Sequence, residues 1–202
     1  MEHFDPRGDL TLVVGEEQAL FHVCSRALAR SSPVFDVMLY GPFAEGRDQN
    51  HHRWEVTLPE DSPEGLRIVL HAVHGKPHAV PPFLAPASLL AAATMADKYD
   101  MVECLSPWWR RWIDALPSRL CDAEAFVQHL RIFELLGDQS SYEKALGEFL
   151  SCSRRDPWSG RFWLGGDHAR QDLESGEDGE LESRDQHEHD VLVGLDIFRK
   201  SG

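Results

Sequence analysis

The four cysteines of this 202-residue chain, Cys24, Cys104, Cys121 and Cys152, are too widely spaced to form a CxxC pair or any other metal-ligand set. Each sits among apolar residues, as a small core side chain does in a reducing compartment. Long apolar runs are missing too: nothing approaches the roughly 20 residues that cross a bilayer. The opening Met1-Glu2-His3-Phe4-Asp5-Pro6 has no apolar core of a signal peptide. A soluble intracellular protein, nuclear or cytoplasmic, is expected. Basic residues are scarce, 20 Lys and Arg against 34 Asp and Glu, for a net charge of −14. Residues 167–190 hold ten acidic and two basic residues, net −8, and residues 191–202 add +1, which leaves −7 for residues 1–166. Such a chain repels a phosphate backbone, so direct nucleic-acid binding is not expected. A Gly-rich phosphate loop, a nucleophile elbow and an HExxH helix are also absent.

What the chain does contain is a dense order of short elements. Residues 9–15 and 18–24 read as two strands around the polar turn Gly15-Glu16-Glu17-Gln18. A helix follows over 25–39, with Ser25 as its N-cap and an interruption at Ser31-Ser32-Pro33. Residues 54–58 alternate apolar and polar, as a strand with one buried face does. Asp61-Ser62-Pro63-Glu64 opens a helix through His74, with Pro63 at its first position. The loop from Gly75 to Pro86 holds four prolines. Helices are then expected over 87–98 and 107–116, with a short one possible at 99–104 after a break at Asp100. A helical pair at 122–136 and 141–152 is joined by the turn 137–140. From residue 156 apolar periodicity is lost, and 156–202 reads as an acidic, disordered tail. Its one apolar patch, 191–198, has no neighbours in sequence to bury it.

The opening order of strand, turn, strand and helix, with Phe21-x-Val23 leading into Leu28, Ser32-Pro33-Val34-Phe35 and Met38-Leu39, resembles the start of a BTB/POZ domain. Further along, Phe43-Ala44-Glu45 resembles the family's Phe-x-Glu turn. Pro59-Glu60-Asp61 resembles its acidic turn, and the segment from Ala91 to Asp97-Lys98-Tyr99 its alanine-rich helix and corner. The likeness covers about residues 5–116. Asp5-Pro6-Arg7-Gly8-Asp9-Leu10, the tryptophans Trp108, Trp109 and Trp112, and Leu130-Arg131-Ile132 before Leu136-Gly137-Asp138 look most like the fungal BTB group, which extends the likeness to about 152. The resemblance implies an α+β fold, a small three-stranded sheet flanked by a helical cluster (5–116) with a C-terminal helical extension (117–155); the disordered acidic tail (156–202) follows from composition and lies beyond the likeness.

The chemistry expected of such a chain is binding. His22 and Cys24, two apart on a strand, merely share a face. His51-His52 and His187-Glu188-His189 bring no third ligand at recognisable spacing. No catalytic residue, cofactor or metal is expected, and the protein reads as not an enzyme. Trp108 and Trp112 share one helix face and read as core; Arg110 and Arg111 read as a solvated face. The expected function is a non-catalytic adaptor or scaffold, with Phe43, Glu45, Phe83, Leu84, Leu90, Tyr99 and Met101 as the candidate partner-binding surface. Alternatives are a substrate adaptor for a cullin-type ubiquitin ligase or a partner subunit of a transcriptional regulator. Cullin adaptors of this family commonly carry a hydrophobic-x-acid motif about ten residues before the Asp-Lys-Tyr corner. Here Ser88-Leu89-Leu90 stands there without an acid. No Kelch, MATH or DNA-reading element is present. Only residues 1–8 precede the first expected strand, too short for the family's swapped-dimer element, so a monomer or weak dimer is expected.

Overall fold

The computed structural model describes residues 1–42, 54–117, 123–155 and 162–164. The chain divides into two units, one of residues Met1–Leu116 with Ile132–Gly137, the other of Pro117–Arg131 with Asp138–Gly202.

The first unit is built on a mixed sheet of four strands: β1 (Glu2–His3), β2 (Leu10–Val14), β3 (Ala19–Val23) and β4 (Glu55–Leu58), in the order β1-β3-β2-β4. β2 and β3 are the expected hairpin, antiparallel with Leu12 opposite Phe21. Gly15 and Gln18 turn between them at positive φ, 72° and 53°. β2 lies at the centre, and its Leu10, Leu12 and Val14 are fully buried. β4 runs parallel to β2 and alternates exposed and buried residues as its pattern required.

The expectation of three strands is corrected by β1. It pairs in parallel with β3, Glu2 opposite Phe21 and His3 opposite His22, and Phe4 N–H donates to His22 O at 2.9 Å. Two residues are too few for a period to show in sequence. The strand exists because Phe4, 1% exposed, drops into the core beside Phe21.

The helix expected over 25–39 is two helices, α1 (Ser25–Ser31) and α2 (Pro33–Tyr40). Ser32 separates them and caps α2, its Oγ accepting the Phe35 N–H at 2.9 Å. Ser25 is not the N-cap of α1 but its first residue, after Cys24. The capping carboxylate comes from Asp9, which accepts the Ser25 N–H at 2.9 Å and Oγ–H at 2.8 Å. The pairing of Leu10 with Val23 brings Asp9 there, a fact of register invisible along the chain.

α3 (Pro63–Val73) starts on Ser62, whose Oγ accepts the Gly65 N–H at 3.2 Å. α4 (Pro86–Lys98) packs on α3 at close range, because Gly65 faces the Ala91 backbone and has no Cβ to intervene. Asp100, at φ 52°, breaks the chain, and a 3-10 turn (Val102–Leu105) replaces the short helix considered there. α5 (Ser106–Asp114) buries Trp112 completely and leaves Trp108 and Trp109 half-buried.

α6 (Ala123–Leu135) contributes its last residues to the first unit and its earlier ones to the second. α7 (Gln139–Cys152) begins two residues ahead of expectation. Asp138 caps it, accepting the Ser141 N–H and Oγ–H and the Ser140 Oγ–H. Within the stretch expected to lack structure, β6 (Phe162–Leu164) pairs antiparallel with β5 (Ser153–Arg155). The rest of that tail lies outside the described residues. No helix among the described residues is long and apolar enough to cross a membrane.

Candidate interaction surface

The loop between α3 and α4 carries the most exposed aromatic side chain among the described residues, Phe83, at 59%. α5 positions it in two ways. Trp112, wholly buried, donates its Nε1–H to Pro81 O at 2.9 Å and pins the loop to the helix. Arg111, one residue before, lays its guanidinium over the Phe83 ring at 4.5 Å. Arg110 similarly covers Trp109 at 4.5 Å. The two arginines read as a solvated face are therefore exposed but stacked on aromatic rings, held flat by π-faces. Leu84 and Leu90 are half-buried. Partly exposed aromatic and Arg side chains of this kind are the residue types that concentrate binding energy at protein interfaces.

The remaining candidate residues fare differently. Phe43 and Glu45 lie outside the described residues. Tyr99 and Met101 are 1% and 0% exposed, so they belong to the core and are removed from the surface. Tyr99 stacks on Phe35, with ring centroids 4.2 Å apart. Its hydroxyl donates to Asp61, and its carbonyl accepts the Ser32 Oγ–H at 2.5 Å. Burial, reinforced by the hydrogen bond to Asp61, pushes the Tyr99 hydroxyl well above the usual phenol value. The Asp61 side chain is fully buried and also takes the Lys98 ammonium at 2.5 Å. The acidic turn and the Asp-Lys-Tyr corner, 37 residues apart in sequence, are thus two halves of one clamp.

Above that clamp opens a groove of about 320 Å³, lined by Val34 and Met38 of α2, Val56 and Leu58 of β4, and Pro59, Glu60 and Lys98. Beside it α2 exposes Val34, Val37 and Tyr40, at 38, 52 and 50%. These three recur at helical spacing on one side of α2. Sequence reading assigned the helix and missed that this stripe stays uncovered. The signal was available as apolar residues on two faces of one short helix, since Phe35 and Leu39 already fill the buried face.

Burial raises the Cys104 thiol above its usual value, keeping it protonated, and it donates to Ser31 O. Cys24 and Cys104 are both free and half-buried. No group of three His, Cys, Asp or Glu able to hold a metal occurs among the described residues; His51-His52 and His187-Glu188-His189 lie outside them. The BTB/POZ domain family model matches residues 3–106, more than half of the chain. No curated protein matches it.

Proposed function

Since this chain belongs to the BTB/POZ family, whose domains are generally non-catalytic protein–protein interaction modules, we propose that it acts as an adaptor or scaffold through the α5-braced face around Phe83. The observation that carries the reading is the exposed Phe83 ring, fixed between the Trp112-anchored loop and the Arg111 guanidinium. A ring held in one place loses little conformational freedom on binding, so its burial against a partner is turned into affinity. Leu84 and Leu90 widen the apolar contact, and Arg111 supplies a directed charge at its rim.

The partner is a protein met in the nucleus or cytoplasm, and the chain sits within the fungal BTB group. The self-pairing of β1 on β3 favours a monomer or weak dimer. Proximity labelling in cells with the full chain and with Phe83→Ala, Arg111→Ala and Val37→Asp variants tests the reading. Loss of one set of partners in the first two variants, with folding intact by circular dichroism, supports it. Retention of every partner by both refutes it, and loss confined to the Val37 variant moves the function to the α2 stripe.

A further inference from the structure

Arg67 and His71 of α3 and His74, the residue that caps its C-terminus, recur at spacings of four and three and so share a face, with Lys76 just beyond. That face holds the N-terminal segment. Arg67 Nε lies 2.8 Å from Glu2 Oε2, and His71 Nε2 lies 3.9 Å from Glu2 Oε1. Lys76 Nζ donates to His3 O at 3.0 Å. The Phe4 ring packs on both imidazoles, its centroid 4.8 Å from His71 and 6.1 Å from His74.

His74 reaches further. The Cys24 N–H donates to its Nε2 at 3.0 Å, at the corner where β3 passes into α1. Nε2 therefore carries no proton, and Nδ1–H, 2.9 Å from Leu70 O, donates to that carbonyl. The geometry selects one neutral tautomer. His71 adds a second constraint: its Nδ1 is buried without a hydrogen-bond partner among the described residues.

We propose that this face of α3 is a proton-operated latch, in which protonation of His74 removes the acceptor of the Cys24 amide and releases β1 and Phe4 from the edge of β3. A protonated His74 turns an N–H toward the Cys24 N–H, donor against donor, at a half-buried corner. The groups around it pull in both directions, and the hydrogen bond to Leu70 O favours the charged form of His74. Asp5 favours the charged form of His74, whereas Lys76 opposes it. At His71, Glu2 favours charge, and Lys76, Arg67 and His74 oppose it. β1 and β3 bring His3 and His22, whose rings meet edge-on at 5.0 Å. Glu2 is already engaged by Arg67, so new positive charge on this face meets a carboxylate whose charge is shared.

Burial, the largest cause, holds both His71 and His74 below the usual imidazole value in the docked state. A base with a depressed pKa binds its proton more readily once undocked. Docking is thus at full strength above the ordinary imidazole pKa of about 6.5 and weakens as pH falls through it. In that window the undocked population rises by up to about tenfold per pH unit for each such histidine.

Hydrogen exchange of the full chain, followed by NMR between pH 7.5 and 5.5, tests the latch. Protection of the Phe4 and Cys24 amides, measured relative to the Leu12 amide in the central strand, is expected to fall by about tenfold per pH unit below 6.5. His74→Gln keeps an acceptor for Cys24 but cannot titrate, and its relative protection is expected to lose the His74 share of the pH dependence, leaving at most the slope that His71 supplies. The ring-nitrogen shifts of wild-type His74 give an independent reading, and a neutral Nδ1–H ring that titrates below the ordinary value supports the latch. A His74 that titrates at or above that value with both amides still protected overturns it. So does a His74→Gln chain that follows the wild-type pH dependence.

Discussion

Gly65→Ala sets two well-understood effects against each other, and the structure decides which wins. In an exposed helix the change stabilises, because Ala is about 1 kcal/mol better than Gly in a helix interior. Gly65, however, faces α4. A Cβ built there lies 2.3 Å from Ala91 O, 2.5 Å from Ala91 C and 3.1 Å from Ala92 N. A comfortable carbon–oxygen approach is about 3.3–3.6 Å, so α4 must retreat by about 1 Å. The obstacle is backbone and has no rotamer to change. Retreat loosens a seam that buries Leu66, Val69, Leu70, Leu89, Ala92, Ala93 and Ala96 completely, and a gap of that size forfeits a quarter to a half of each contact's attraction. Overpacking of this kind costs up to about 3 kcal/mol, which leaves a net loss of about 2 kcal/mol after the propensity gain. That corresponds to a fall in Tm of about 4–8 °C for a chain of this size. Urea unfolding followed by tryptophan fluorescence, with Trp112 as a buried reporter, measures it. Gly147→Ala is the control: nothing lies within 4 Å of its would-be Cβ in α7, so it is expected to stabilise by up to about 1 kcal/mol. A Gly65→Ala chain as stable as wild type would refute the close approach of α3 and α4.

Asp61→Ala strips the acceptor from the buried Tyr99 hydroxyl and from Lys98, and is expected to cost about 2–3 kcal/mol in urea unfolding. Tyr99→Phe removes one bond of the clamp and is expected to cost about 1 kcal/mol; equal losses for the two would mean that the Lys98 contact contributes nothing. Light scattering at low micromolar concentration is expected to show a monomer or a weak dimer, and a tight dimer there would refute that expectation. The cullin N-terminal domain is expected not to bind at micromolar concentration, because half-buried Leu90 stands where a cullin adaptor carries its acid; saturable binding would revive that role.

The local elements were legible along the chain for a physical reason: each depends on residues close in sequence. The hairpin followed from its turn residues, the break between α1 and α2 from Pro33, the start of α3 from Ser62 and Pro63, and β4 from strict alternation over Glu55–Leu58. Residues acting at a distance were not legible. Asp9 caps α1 from sixteen residues away, and Asp61 clamps a corner 37 residues on. Tyr99 and Met101 looked available for binding because aromatic and thioether side chains occupy both surfaces and cores, and only packing distinguishes the two.

The sequence by itself determined that this chain folds as an α+β domain resembling the BTB/POZ family. Periodicity, caps and turn residues report the backbone's local choices, and a family's order of elements is written in them. Tertiary structure alone decided which of the candidate side chains are exposed. Phe83 is exposed and Tyr99 buried because Trp112 pins one loop outward and Asp61 draws the other side chain in. It also decided that Glu2, His3 and Phe4 form a fourth strand, since two paired residues hold only when Phe4 finds a core pocket beside Phe21 and the α3 imidazoles. Burial is a property of what surrounds a side chain, and neighbours that arrive from 17 to 67 residues away leave no period to read.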